Sequence, residues 1–587
     1  MLDQVTPERE PAKTGITSTP PEIVSEKDIS LQKVNTQHLE NTNDQDEELQ
    51  PHLHARTFLA VFAVCLIYFA QDFALVGAGA QGQAIAAHFQ SPEDTPWITA
   101  PIAILTVVLC PIVSQASDYW GRKWFLVILS LFGAVGGLIV ARASSMGMVI
   151  AGFTILGSAF GAQSLLHTVA SEVLPRRWRS WAQAAVMVAN GLALISGLVV
   201  GGALNRHGNP DGFRYHFYIA MGLFLTSALI TAFAYRPLPT KLQMEYSFNE
   251  KIAQLDWVGY ALLASSLVLF CMGLSWSQNP YPWSDPHVSA TFSVGVVLCL
   301  LLVLYETRFK KDGMFHHGLF RGNMNFTIAL ICVFCEGIAF FAANIYFAFQ
   351  VSVLYETDSL IVGTRFAIAF IAAIAASGFT GLYCASAKKV RYVTFVAFVV
   401  FTAFFICMAT ANKSSSMAVW GYPVLLGWAL GMTLITLVTV AQLSTPPELI
   451  AIASGLIISV RSLGGTIGIA IYNAVFTTAT RHMGPNVGRA ITEAGLPSNS
   501  VDRFLTDILT GNITGLSSVP GATPTIITAG VDARLDTFVL GFRNVWVSAL
   551  CFIVLAAIAS LFLFDPSEEF NNRIDAPVEK EEDMYSI

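Results

Sequence analysis

Fourteen apolar runs, each of about twenty residues, leave this chain one class of architecture. A helix of that length crosses a ~30 Å hydrocarbon layer at ~1.5 Å per residue. Lipid also forces every backbone polar group to be satisfied within the segment. The runs lie near 57–79, 97–117, 124–142, 147–168, 181–204, 217–235, 256–275, 288–305, 324–347, 361–385, 391–411, 417–441, 449–477 and 541–564. Only 12% of the 587 residues are charged, against about a quarter in soluble domains. The fold class is an all-α polytopic membrane protein, whose lipid partner is the bilayer itself.

Charge gives the direction of threading. Residues 1–55 hold four Lys/Arg against eleven Asp/Glu, and 565–587 hold two against eight, so the body between is net positive. Its cations sit in short loops: Gly121-Arg122-Lys123, Arg176-Arg177-Trp178-Arg179, Arg236 to Lys251, Arg308-Phe309-Lys310-Lys311, Arg321, and Lys388-Lys389-Val390-Arg391. Basic short loops stay cytoplasmic, which puts all of these inside and both tails with them. The acidic tails read as solvated, unstructured chain. Two glycosylation acceptors, Asn412-Lys413-Ser414 and Asn512-Ile513-Thr514, then fall outside, while Asn325-Phe326-Thr327 falls at the inner rim and should be unused. No secretory signal precedes the first span, which must serve as its own targeting signal.

The basic turns after the second and tenth spans are alike in length and charge, which suggests two repeated helical halves. Five segments follow: a tail over 1–55, a first half over 56–235, an inserted pair with linkers over 236–323, a second half over 324–564 carrying an outer loop at 478–540, and a tail over 565–587. Repeated halves place a substrate site near the midplane. Small residues one turn apart recur at Gly157/Gly161, Gly197/Gly201, Gly427/Gly431 and Gly464/Gly468, a spacing that lets helix backbones approach. All nine cysteines lie in apolar runs, and the Cys332/Cys335 pair reads as helix packing rather than redox chemistry. No metal-spaced His cluster, nucleophile triad or phosphate-cradling glycine loop occurs, so neither metal, cofactor nor enzyme activity is expected, and no nucleic-acid partner.

Ionisable side chains inside a span are costly and mark function by default. Glu336 lies about eleven residues into the ninth span, ~17 Å from its inner end. Arg461 is similarly deep in the thirteenth, and Asp72 sits in the outer third of the first. A desolvated acid favours its protonated form, which makes Asp72 and Glu336 candidate proton carriers; a structural bond or ion pair is the competing reading for both. Arg461 reads as an ion partner or helix anchor, with substrate contact as the competing reading. Glu172, placed in a loop, is a candidate partner for Arg122 in a gate lock, and Asp256 is a candidate helix cap.

Residues Asp118-Tyr119-Trp120-Gly121-Arg122-Lys123 are similar to the major facilitator superfamily motif between helices two and three, G-x-x-x-D-x-x-G-R-[RK], with Ser114 in place of the leading glycine. Trp97-Ile98-Thr99, Phe213-Arg214-Tyr215-His216-Phe217-Tyr218, Leu255-Asp256-Trp257-Val258-Gly259, Gln442-Leu443-Ser444-Thr445-Pro446, Ser171-Glu172-Val173-Leu174-Pro175 and Val460 to Gly468 resemble the fourteen-helix fungal drug:proton antiporter branch, closest to the trichothecene efflux pump family. That resemblance implies a major facilitator fold, two six-helix halves plus an inserted pair. It implies Asp118, Gly121, Arg122, Lys123 and Glu172 as a conformational switch. It further implies a monomer in the plasma membrane, with the vacuolar membrane as alternative, exporting a small amphiphilic metabolite, mycotoxin or xenobiotic against proton entry. A siderophore–iron importer on the same plan, and a transporter-like sensor, are the competing functions. Two departures stand out. The helix-five motif G-P-x-x-G-G survives only as Gly197, Gly201 and Gly202, and Phe153 occupies the place of the helix-four Arg that antiporters set beside their proton relay.

Overall fold

The computed structural model describes residues 55–576 except 92–93, 95, 205–210, 240–242, 245, 278–280, 310–316, 322–323, 511 and 513. The acidic head, Lys310 and Lys311 of one basic loop and the last eleven residues therefore lie outside the described residues. Fourteen helices are long and apolar enough to cross a membrane, and the described residues contain no β-strand. We number them α1 (Ala55–His88), α2 (Pro96–Trp120), α3 (Arg122–Ala141), α4 (Met146–Ser158) continued by α5 (Gln163–Glu172), α6 (Arg179–Leu204), α7 (Gly212–Ala234), α8 (Trp257–Trp276), α9 (Pro286–Arg308), α10 (Asn325–Leu354), α11 (Ser359–Ala387), α12 (Arg391–Thr410), α13 (Ala418–Leu443), α14 (Ile450–Thr480), two short helices α15 (Met483–Glu493) and α16 (Val501–Leu509), and α17 (Pro524–Ser560).

Helices α1–α7 and α10–α14 with α17 form two six-span sets, and α8 with α9 packs as a pair against α2. The sets meet along two seams, α6 against α11 and α13, and α2 with α5 against α14. Three polar bonds between the sets lie toward the end of the molecule that carries the 118–123 turn, called here the basic face. Arg179 donates to the Gln442 carbonyl at 3.0 Å, Gln442 to the His167 carbonyl at 3.4 Å, and Ser180 to the Gly381 carbonyl at 3.1 Å. Ser459 donates to the Val107 carbonyl at 2.6 Å, deeper in the bundle.

The four glycine pairs each face a neighbouring helix. A Cβ on Gly427 would run into the Ala369 carbonyl and one on Gly431 would lie 2.5 Å from that of Ala373, so α13 rides on the α11 backbone. Gly427→Leu is therefore expected to force the two helices apart, by ~3 kcal/mol or more of overpacking. A fall in the melting temperature of the purified protein, and in monodisperse yield, would register it.

Several boundaries differ from the sequence reading. The fourth span is not continuous: a 3-10 turn over Ala159–Ala162 separates α4 from α5. Its loosened carbonyls are taken up from outside, Ala159 accepting from Gln71 Nε2 at 2.8 Å and Phe160 from the Cys110 thiol at 3.4 Å. Side chains inserted in this way break a helical ladder. Glu172, read as a loop residue, is instead the last residue of α5 and is buried. Asp256 does cap α8, its carboxylate accepting from Gly259 N–H at 2.9 Å.

The 478–540 segment is structured. Val487, Ile491, Phe504, Ile508, Leu516, Val519 and Ile526 form an apolar cluster of their own, and α17 starts at Pro524 rather than near 541. Asp532, Arg534 and Asp536 had interrupted the apolar pattern there. Two of them hold Lys413 of the α12–α13 turn, at 3.2 and 2.7 Å. Of the C-terminal tail, read as solvated chain, residues 565–576 pack on the basic face, with Phe570 fully buried.

Candidate functional site

Deep in the bundle, α10 and α14 approach so closely that a Cβ on Gly337 would strike the Arg461 carbonyl. The residue before that glycine, Glu336, has no exposed surface. Arg461 grips it through both ends of its guanidinium, Nε to Oε2 at 2.6 Å and Nη2 to Oε1 at 3.0 Å. The same guanidinium lies 4.6 Å from the Phe340 ring centroid, a cation–π contact that, together with the bidentate fork, favours Arg over Lys.

Asp72 approaches the same region from α1 and is 3% exposed. Its hydrogen bond comes from the Asn190 amide of α6, at 2.5 Å. Tyr68 and Asp72 both lie within electrostatic reach of Arg461, which sits across the seam. The two buried acids thus differ in kind. Glu336 is neutralised by a bidentate cation, whereas Asp72 has a neutral amide donor and a more distant cation. The first is a closed ion pair with both carboxylate oxygens committed; the second has no cation in hydrogen-bond contact.

A third group was not singled out from the sequence. His167 of α5 is fully buried, edge-on to the Tyr68 ring at 5.6 Å. Gln183 Nε2 donates to the His167 carbonyl at 2.9 Å and to Ser171 Oγ at 2.6 Å. The Gln183 carbonyl oxygen must then accept from His167 Nδ1 at 2.6 Å, which places a proton on Nδ1. A lone His in an apolar run carries no periodic signal that would have marked it.

At the basic face, Gly121 closes α2 and opens α3 with φ +87°, a left-handed backbone that side chains disfavour. That turn sets Arg122 one helical turn from Asp118, at 3.4 Å, and in contact with Glu172 of α5. Asp118, Arg122 and Glu172, of which Glu172 is buried and the other two half-buried, thus form one ionic cluster joining three spans of the first set. Lys123 stands apart, its ammonium 5.7 Å from the Trp124 ring. Ser114, where the motif has glycine, bonds Ser164 at 2.7 Å, and a Cβ on Gly455 of α14 would come within 2.6 Å of its hydroxyl. The close-packing glycine of this seam is on the opposite helix.

The remaining positions separate. Gly197 and Gly201 face α1, with prospective Cβ contacts at 3.3 Å to the Phe73 carbonyl and 3.0 Å to Gln81, while Gly202 faces Leu360 of the second set at 3.4 Å. Phe153 packs edge-on against Phe217 at 5.2 Å in an apolar cluster, so the fourth span offers no charge at this point. Asn412 and Asn512 are exposed, whereas Asn325 is fully buried and bonded to Ser444 and Phe564. All nine cysteines are free. Among the described residues, no three His, Cys, Asp or Glu side chains are grouped to hold a metal.

Residues 40–577 match the family described as the fungal trichothecene efflux pump (TRI12). The trichothecene efflux pump TRI12 of Fusarium sporotrichioides is 23% identical over 80% of this chain and 79% of its own. The MFS-type efflux transporter pyiT of Pyricularia grisea is 25% identical over 72% and 71%. Among solved structures, the proton:xylose symporter XylE bound to 6-bromo-6-deoxy-D-glucose superposes with a TM-score of 0.53 at 11% identity, covering 86% of this chain and 95% of that one. A bacterial homologue of the human lysosomal transporter Spinster gives 0.53 at 13%, covering 88% and 98%. Both share the major facilitator fold. The chain is therefore a multi-pass membrane transporter of the major facilitator superfamily, and it belongs to the fungal trichothecene efflux pump family.

Proposed function

We propose that this protein exports a small amphiphilic secondary metabolite, mycotoxin or xenobiotic across the fungal plasma membrane, driven by protons moving inward, as a monomer with both termini cytoplasmic. Export is supported by family membership together with the efflux activity named for its relatives. Proton coupling is supported by one observation, the unequal treatment of two buried acids. Asp72, held by the Asn190 amide, loads and releases the proton, and the Glu336–Arg461 pair supplies a fixed charge whose field Asp72 feels across the seam. Loading Asp72 removes its attraction to Arg461 and so loosens one seam of the two. At the basic face, Asp118, Gly121, Arg122 and Glu172 stabilise the state in which that face is shut; Lys123 adds positive charge beside an anionic leaflet.

The test is retention of a radiolabelled trichothecene-type toxin in cells with and without the gene. Greater retention in the deletion strain, reproduced in the parent when a protonophore collapses the gradient, is the expected result. Equal retention in both strains would remove the export reading; loss of labelled ferri-siderophore uptake in the deletion would replace it with import.

A further inference from the structure

The structure assigns residues 565–576 to an intramolecular tie that spans both six-span sets, with Arg176 and Arg179 as its receptor. The segment leaves α17 and first fastens to the second set. Asn325 and Phe564 exchange two hydrogen bonds, at 2.9 and 2.8 Å. The Asp565 carboxylate accepts from Val390 N–H at 2.7 Å and Arg391 N–H at 2.8 Å, capping the start of α12. Ser567 Oγ donates to the Lys388 carbonyl at 2.9 Å. Phe570 then plugs into the main apolar core with no exposed surface.

The rest of the segment fastens to the first set. Arg177 N–H donates to the Asn571 carbonyl at 2.8 Å and Arg176 N–H to the Arg573 carbonyl at 2.9 Å, while Ala576 N–H returns to the Glu172 carbonyl at 3.1 Å. The Asp575 carboxylate, 3% exposed, is gripped by Arg176 at 3.0 Å and also pairs with Arg179, itself 1% exposed; Arg176 pairs in addition with Glu569. Arg179 spends its other amino group on the Gln442 carbonyl across the seam. One guanidinium therefore joins the tie, the first set and the second set at a single point, and Glu172 belongs to both the tie and the ionic cluster with Arg122.

Charge and burial say why this is more than a tail lying on a surface. Desolvated charge-assisted bonds exceed ordinary ones in strength, and a carboxylate this deep is held only while its partners stay in place. Opening the basic face must part α6 from α13, which moves Arg179 away from Gln442, and must part 172–179 from 388–391, between which the tie is stretched. The tie thus favours the shut basic face and, being continuous with α17 of the second set, must release 172–179 of the first set for that face to open. This inference concerns access to the seam and does not depend on the substrate, its direction or the coupled ion.

The test uses full-length purified protein carrying Ser180→Cys, whose position is buried at the seam against Gly381. The labelling rate at residue 180 is followed by peptide mass spectrometry to separate it from the native thiols. Adding Asp575→Asn, which keeps shape and removes charge, is expected to raise that rate about tenfold, whereas Asp532→Asn at the opposite face leaves it unchanged. An unchanged rate with Asp575→Asn overturns the tie. Should Asp575→Asn fold poorly, a second measurement replaces it: Arg177→Cys and Asn571→Cys are joined by a short bifunctional thiol reagent. Joining is expected to lower labelling at 180 below the unjoined parent, and labelling at the parent rate would equally overturn the proposal.

Discussion

Replacing Arg461 with Ala is expected to abolish transport and to destabilise the protein by ~3–5 kcal/mol, the usual loss when one partner of a buried ion pair is removed. The cause is specific. Glu336 has no exposed surface and both its oxygens are committed to Arg461. Without the guanidinium, Glu336 must take up a proton or admit water into the α10–α14 contact, where Gly337 leaves no slack. Arg461→Lys keeps the charge but loses the fork and the Phe340 contact, so an intermediate loss is expected. The double variant Glu336→Gln/Arg461→Gln is expected to recover much of the stability without recovering transport. Thermal melts of the four purified proteins check the series. A melting temperature for Arg461→Ala equal to the parent's would show that the pair carries no structural weight.

The second expectation separates coupling from transport itself. Asp72→Asn preserves size and leaves an amide oxygen to accept from Asn190, so surface expression and fold are expected to remain. Gradient-driven transport is expected to fall by at least ~100-fold, the lower range for loss of a positioned proton-transfer group. Exchange of labelled for unlabelled substrate at equal pH on both sides should continue, because that half-cycle moves no net proton. Gradient-driven transport at the parent rate would exclude Asp72 as the carrier. Glu336→Gln makes a useful contrast, since it strands Arg461 and should show itself first as instability.

Apolar run length made the spans and their number readable from sequence, because hydrocarbon thickness acts on each run independently of what it packs against. That Arg461 would serve as an ion partner was readable too, but not which acid it holds: Asp72 and Glu336 both lay within a span, and only helix packing gives it to Glu336. What escaped were features decided by neighbours. The break in the fourth span arises from Gln71 and Cys110 on other helices. His167 matters through Gln183 and Tyr68, and nothing in its own run sets it apart. Charges at 532–536 made the first turns of α17 look like loop, although they face solvent and Lys413. The acidic C-terminal segment had the composition of free chain. Its fold is conferred by a basic turn almost four hundred residues away, a relation that composition does not encode.

The unbroken course of α17 has a mechanical consequence. At 37 residues it is ~55 Å long, so roughly 25 Å stands beyond a ~30 Å hydrocarbon layer. Its outer turns are also part of the apolar cluster formed with α15 and α16, and Lys413 pins them to the α12–α13 turn. The outer cluster is thus rigidly mounted on the second set, like a pointer on a balance beam. Any tilt of that set within the membrane is amplified at the tip, and a spectroscopic label on the exposed face of α16 would report the transport cycle without touching the cavity.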